Sequence, residues 1–134
     1  MPEDRPGENA AESPFKGKTG LQRLLNACRY SFHGFASAFR HEEAFRQEAL
    51  LAAILIPIAL LLDVGGVGKA LMVGSVLLVL IVELLNSAIE AAIDRISFDQ
   101  HQLSKRAKDI GSAAVALSLI NVAVVWLLVI IDKL

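Results

Sequence analysis

The stretch Ile110-Gly-Ser-Ala-Ala-Val-Ala-Leu-Ser-Leu-Ile-Asn-Val-Ala-Val-Val-Trp-Leu-Leu-Val-Ile-Ile131 decides the fold. It is 22 residues without a charge, and at about 1.5 Å per residue a helix of that length crosses the roughly 30 Å hydrocarbon core of a bilayer. A segment alone in lipid must satisfy its own backbone N–H and C=O groups, which a helix does. Working backwards from it, Ala70 to Ile93 is a second apolar segment, interrupted by Glu83, Asn86, Ser87 and Glu90. A third runs from about Arg46 to Asp63, with an unbroken apolar stretch of 14 residues from Ala49 to Leu62. That stretch is short for a span, so Arg46 and Glu48 are expected near the interface, with Arg46 snorkelling. Pro57 is expected to kink this helix.

Composition agrees. Hydrophobic residues make up 54% of the 134-residue chain, and the mean hydropathy is +0.53, too apolar for a soluble domain of this size. The length argues for one domain. The net charge of -1 provides no basic field to recruit nucleic acid. Cys28 is the only cysteine, which excludes an intrachain disulfide and a cysteine-based zinc cluster. Its place on an apolar stripe favours packing over chemistry.

Residues 1–19 are rich in Pro, Gly and charge and read as a disordered tail. They lack the apolar core of a secretory signal peptide, so the downstream spans are expected to remain in the mature protein. From Gly20 to His41, Leu21, Leu25, Cys28, Phe32, Phe35 and Phe39 recur at steps of three and four and share one helical face. Five Lys/Arg and no acidic residue lie between Lys16 and His41. An apolar stripe beside cations describes a helix lying in the headgroup region, and the chain offers no soluble core for it to cover instead.

The expected architecture is therefore an all-α membrane protein, with an amphipathic surface helix at about 20–41 and spans at about 46–63, 70–93 and 110–131. Val64 to Gly68 is read as a turn and Asp94 to Asp109 as a hydrophilic loop. Seven Lys/Arg lie from the N-terminus through Arg46 and four in the segment Arg95–Lys108, against only Lys69 and Lys133 elsewhere. The positive-inside rule places the N-terminus and the second loop in the cytoplasm, with the Gly-rich turn and the C-terminus on the opposite side.

The second span carries the chemistry. Glu83, Asn86, Glu90 and Asp94 are spaced by three, four and four, so they share a helical face, with Glu83 about 16 Å deeper than Asp94 at the standard helical rise. Ionisable groups inside a span usually mark a functional site. Interhelical hydrogen bonding would need no more than Asn86 or Ser87. Carboxylates beside a cytoplasmic interface suit Mg²⁺ that also binds phosphates, or a general base accepting a hydroxyl proton. A proton relay in a transporter would use the same residue types.

Lys105, Arg106 and Lys108, with Asp109, crowd the mouth of the third span. Arg23 and Arg29 lie on the surface helix, and Glu42, Glu43, Arg46 and Glu48 border the first span. Cations for phosphate oxygens and carboxylates for Mg²⁺ thus fall on one side of the membrane. For Lys105 and Arg106, topology and attraction to anionic lipids suffice as an explanation. Gly65-Gly66-Val67-Gly68-Lys69 is not a phosphate loop. The pattern would require Gly at Asp63 and Ser or Thr at Ala70, and the segment lies on the predicted far side from ATP.

Four blocks resemble the bacterial integral-membrane diacylglycerol kinases: Arg29-Tyr-Ser-Phe-His-Gly34, Glu42-Glu-Ala-Phe-Arg-Gln-Glu48, Glu83-Leu-Leu-Asn-Ser-Ala-Ile-Glu-Ala-Ala-Ile-Asp-Arg95 and Leu103-Ser-Lys-Arg-Ala-Lys-Asp-Ile-Gly-Ser-Ala-Ala114. The resemblance covers about residues 20–131. It implies a homotrimeric helical bundle with composite sites between subunits, in the bacterial inner membrane, transferring the γ-phosphate of ATP to diacylglycerol. It implies Glu83 as general base, Glu42 and Glu90 as holders of Mg²⁺, and Asn86 as an orienting group. Lys108 and Asp109, with Arg23, Tyr30 and the Asp99-Gln100-His101 stretch, would contact nucleotide. Ser31, Phe32, Phe45, Arg46, Gln47, Glu48 and Ser112 match positions near the lipid. Gln100 replaces an aromatic residue common there, and Phe32 stands where Trp is expected. A polyprenol kinase is the alternative within the class, and a small proton-coupled transporter using Glu83 and Glu90 is the alternative outside it. A non-catalytic membrane assembly subunit is a third, separable by its lack of Mg-ATP binding.

Overall fold

The computed structural model describes residues 19–96 and 101–134. Four helices follow one another: α1 (Gly20–His41), α2 (Glu43–Leu61), α3 (Gly65–Ile96) and α4 (Gln102–Lys133). The last three are long and apolar enough to cross a membrane. The chain divides into a unit ending at Ala36 and a second from Ser37 to Leu134. In the first unit, Leu21, Leu25, Phe32 and Phe35 on α1 are exposed. Cys28, expected to pack, is exposed as well, because the apolar stripe that carries it is exposed.

In the second unit α3 is the centre, packed against both α2 and α4. Its buried residues are Met72, Ser75, Val76, Val79, Glu83 and Asn86. Apart from the adjacent Ser75 and Val76, they recur at steps of three and four and trace one stripe along the helix, so the polar residues continue the stripe that the apolar ones begin. α2 meets it with Phe45, Ala52 and Ala59, and α4 with Gly111 and Ser118. Lipid is as apolar as leucine, so close backbone approach through small residues, rather than a hydrophobic drive, holds such helices together. The Ser75 and Ser118 hydroxyls donate within their own helices, to the carbonyls of Met72 and Val115, each at 2.7 Å.

α3 and α4 run antiparallel in a single register. At one end Lys133 Nζ pairs with Asp63 Oδ2 at 2.7 Å. Asp63 lies beyond the end of α2, and the hydrogen bond and charge of Lys133 hold its carboxyl below the usual carboxylate range. Next, Gly68 lets Val129 approach; a Cβ there would sit 3.1 Å from Val129 Cγ1. Trp126 Nε1 then donates to the Met72 carbonyl at 3.2 Å, Gly111 lies against Asn86, and Lys108 Nζ pairs with Asp94 Oδ1 at 2.7 Å. From Gly68 to Asp94 the successive contacts run forward along α3 and backward along α4.

The helices outrun the predicted spans. α3 begins at Gly65 and not after Gly68, with Gly65 at φ +74°, a left-handed conformation that glycine adopts freely, turning the chain from α2 into α3. The predicted loop Asp94–Asp109 is mostly helix, since α3 runs to Ile96 and α4 starts at Gln102. Charge marks where a helix leaves lipid, whereas a helix ends at a cap or a breaker. His101 is that cap for α4, its ring accepting from the Leu103 N–H at 3.1 Å. Pro57 lies inside α2, which continues through it to Leu61.

The Trp126 bond ties α4 to α3 near the start of α3, away from the carboxylates. Trp126→Phe keeps an aromatic body and removes the donor. It should lower the thermal midpoint in detergent by an amount equivalent to about 0.6 kcal/mol, the typical worth of an interhelical hydrogen bond in a membrane protein. An unchanged midpoint would show that the bond holds nothing.

Candidate active site

Glu83 lies in the C-terminal half of α3 and is 5% exposed; Asn86, one turn on, is 9% exposed. Their burial follows from position, since both extend the stripe that packs Met72 and Val79. Asn86 Nδ2 donates to Glu90 Oε1 at 3.4 Å, a long bond. Glu90 is half-buried and Asp94 exposed, so the four polar residues grade from interior to surface along one face.

Glu42 and Glu48 reach the same place from another element. Glu42 is the single non-helical residue between α1 and α2, with φ −113° and ψ 109°. The charges of Glu42 and Glu90 both act on Glu83, and that of Glu83 acts on Glu48. Like charges placed within reach of Glu83 repel it, and a cation brought among them would relieve that repulsion. Glu48 Oε2, Asn86 Oδ1 and Ser87 Oγ are buried without a hydrogen-bond partner among the described residues. Such orphans usually await a ligand, a water or another chain.

Arg46 is differently employed. Its Nη1 donates to the carbonyls of Phe39 at 3.0 Å and Arg40 at 3.1 Å. These are among the last carbonyls of α1, which have no partner inside their own helix. Arg46 thereby braces the elbow in which Glu42 sits. Phe45 is 5% exposed and forms part of the core, while Gln47 and Ser112 are exposed.

Lys108 is paired with Asp94, and Asp109 accepts from Lys105 Nζ at 2.7 Å. Both pairs lie at the same end of the α3–α4 pair as Glu90. His101 serves as the α4 cap. Asp99 and Gln100, expected at nucleotide, lie outside the described residues. Arg23, Tyr30, Ser31 and Phe32 are exposed on α1 within the N-terminal unit.

Among the described residues, no three His, Cys, Asp or Glu side chains are grouped as a metal cage. Mg²⁺ delivered on phosphate oxygens keeps several waters and takes only one or two carboxylates. The hard oxygens of Glu42 and Glu90 suit that use.

Comparison with known proteins agrees with the geometry. The family model for prokaryotic diacylglycerol kinase matches residues 29–130. The chain belongs to that family. A diacylglycerol kinase of Pseudomonas aeruginosa is 60% identical over 114 residues, covering 85% of this chain and 93% of that protein. Those of Haemophilus influenzae and Escherichia coli K12 are 51% and 47% identical over 108 residues, covering 81% of this chain and 92% and 88% of theirs. With three apolar helices, this diacylglycerol kinase family member is an integral membrane protein.

Two features of the family site escape a reading by spacing. Gly111 is buried against Asn86, and a lone glycine at the head of an apolar run carries no signal of that contact. The brace by Arg46 joins residues six and seven apart across a helix break, which no periodicity records. Arg46→Gln shortens the side chain and removes its charge, so amide exchange near Glu42 should quicken while exchange in α3 stays slow. Hydrogen–deuterium exchange with peptide resolution checks this, and unchanged rates would deny Arg46 the bracing role.

Proposed function

We propose that the chain transfers the γ-phosphoryl group of ATP directly to the free hydroxyl of diacylglycerol, giving phosphatidate and ADP. The observation that carries the reading is Glu83, a buried carboxylate on a membrane helix, with further carboxylates gathered about it and cations at the same helix ends. A lipid hydroxyl arriving from the bilayer and a nucleotide arriving from water can meet only at such a boundary.

Glu83 takes the hydroxyl proton as the oxygen attacks phosphorus. Asn86 holds Glu90 in place through its amide. Glu42 and Glu90 would hold Mg²⁺, which would neutralise charge on the phosphate oxygens. Lys108 exchanges Asp94 for phosphate, with Asp109 beside the nucleotide. Phosphoryl transfer through a loose transition state requires positioning and charge neutralisation, and no protein nucleophile. Arg23, Tyr30 and the 99–101 segment serve the nucleotide. Ser31, Phe32, Phe45, Arg46, Gln47, Glu48 and Ser112 serve the lipid side, with Glu83 at the lipid hydroxyl.

In this reading α1 lies along the cytoplasmic headgroups of the inner membrane, with the C-terminus on the opposite side. Three copies assemble with shared sites. Each chain alone leaves most of α2 and α4 uncovered, and a third helix neighbour on the Glu83 face would supply the partners its orphaned atoms lack. Direct exposure of ionised groups to lipid would cost several kcal/mol.

The deciding assay is purified protein with Mg-ATP labelled at the γ-phosphate, offered diacylglycerol and undecaprenol separately. Label in phosphatidate supports the reading, label in the polyprenol alone makes it a polyprenol kinase, and none in either overturns it. In the same assay Glu83→Gln should lose about 10²–10⁴-fold in turnover, the usual worth of a general base, while still binding Mg-ATP. Glu42→Ala and Glu90→Ala should instead weaken Mg²⁺-dependent nucleotide binding together with turnover. Normal turnover in Glu83→Gln, or unchanged Mg²⁺ and ATP affinities in the Ala variants, would reject those roles.

Sites that take Glu42 from a neighbouring chain, and not the Glu42 that lies within reach of Glu83 in the same chain, predict a recovery. Glu42→Ala and Glu83→Gln chains, each inactive, should regain partial activity when dissociated and reassembled together, because some sites would draw both intact residues from neighbours. Activity that stays at the single-variant level in verified mixed assemblies would place Glu42 and Glu83 of each site on one chain.

A further inference from the structure

We propose that Gly111 is a positioning residue for this site, the absence of a side chain there being what allows Asn86 to hold Glu90. The inference rests on the phosphotransferase reading for its functional meaning and on the packing of α3 against α4 for its geometry.

Gly111 is buried on α4 and faces α3. A Cβ placed on it would collide with Asn86 Oδ1 and lie 3.3 Å from Asn86 Cγ, and among the described residues, its own chain neighbours and helix backbone aside, nothing else comes within 4 Å. The conflict is therefore with one side chain and not with the helix–helix seam. The obstructed atom is the far end of that side chain, which can yield by rotating about χ1 or χ2. The amide of Asn86 is fixed at its other end by the 3.4 Å bond to Glu90. A rotation that clears a methyl group at position 111 carries Nδ2 off Glu90, and a bond already long has no slack to follow it. The effect of a side chain at 111 is thus to release Glu90 while leaving the backbone of both helices in place.

Gly68 provides the contrast. A Cβ there would meet Val129 Cγ1 at 3.1 Å and Val64 Cβ at 3.2 Å, apolar atoms at the opposite end of the α3–α4 pair. The two glycines allow the same helices to approach, one against packing atoms and the other against the site. Gly68→Ala disturbs packing without touching Asn86, so it separates a general loss of fit from a specific displacement.

The test compares the full-length protein in lipid micelles as wild type, Gly111→Ala, Asn86→Ala, the double variant and Gly68→Ala. Gly111→Ala should lower kcat about tenfold, the scale of one lost hydrogen bond in the transition state, and raise the Mg²⁺ concentration needed for half-maximal rate. In the Asn86→Ala background the same substitution should cost nothing further, since residues that act through one contact are not additive. Equal losses in both backgrounds, or a loss matched by Gly68→Ala, would overturn the inference. A second readout does not depend on turnover. The side-chain amide resonance of Asn86, assigned by its disappearance in Asn86→Ala, should move in Gly111→Ala and stay in Gly68→Ala. If it does not move in Gly111→Ala, the inference falls whatever the rates. If the wild type forms no labelled phosphatidate yet the resonance moves as expected, the positioning stands and the phosphotransferase reading fails.

Discussion

The whole arrangement depends on one helical stripe being asked to do two things. Along α3 the residues facing the other helices pass from Met72 and Val79 to Glu83 and Asn86 without a change of face. Carboxylates and amides in a membrane cannot be left toward lipid, so the packing face is the only place they can go. The packing face and the face that carries the candidate site are consequently the same surface. The apolar part of the stripe fixes where the polar part lies, and α2 and α4 are held in place around the carboxylates by contacts made several turns away.

This division explains what could be seen in the sequence and what could not. The 22 uncharged residues from Ile110 to Ile131 identify a span because length and hydropathy are properties of the chain itself. The spacing of Glu83, Asn86, Glu90 and Asp94 is also local, and a helix must place them on one face whatever surrounds it. Helix ends were less legible: charged segments such as Lys105 to Asp109 read as loop, yet they form helix and pair at i, i+4. Contacts between elements were not legible, because they depend on how the helices pack and not on the spacing within any one of them. Spacing alone gives no reason for Glu42 to act on Glu83, for Arg46 to close the carbonyls of Phe39 and Arg40, or for Phe45 to be buried.

The ends of the helices show a second economy. Lys108 and Asp109, the residues expected at nucleotide, are each neutralised by a local partner, Asp94 and Lys105. These pairs are solvent-exposed, and exposed pairs hold weakly because water and salt screen them. A phosphate oxygen can therefore replace the carboxylate on Lys108 with little penalty. The pairing keeps the helix mouth neutral between encounters and leaves its cations available to an anion that binds more strongly.

Register connects the two ends of the molecule. The Asp63–Lys133 pair, the close pass at Gly68 and the Trp126–Met72 bond all lie away from the carboxylates, but they fix how far α4 has slid along α3. A slip of one residue moves an α-helix by about 1.5 Å and turns it by about 100°, which would swing Gly111 away from Asn86 and present Ile110 or Ser112 instead. Either brings a side chain into space that Asn86 Oδ1 occupies. The contacts at the far end thus act on the site without touching it: they determine which residue of α4 stands opposite Asn86, and only glycine leaves that amide where it reaches Glu90.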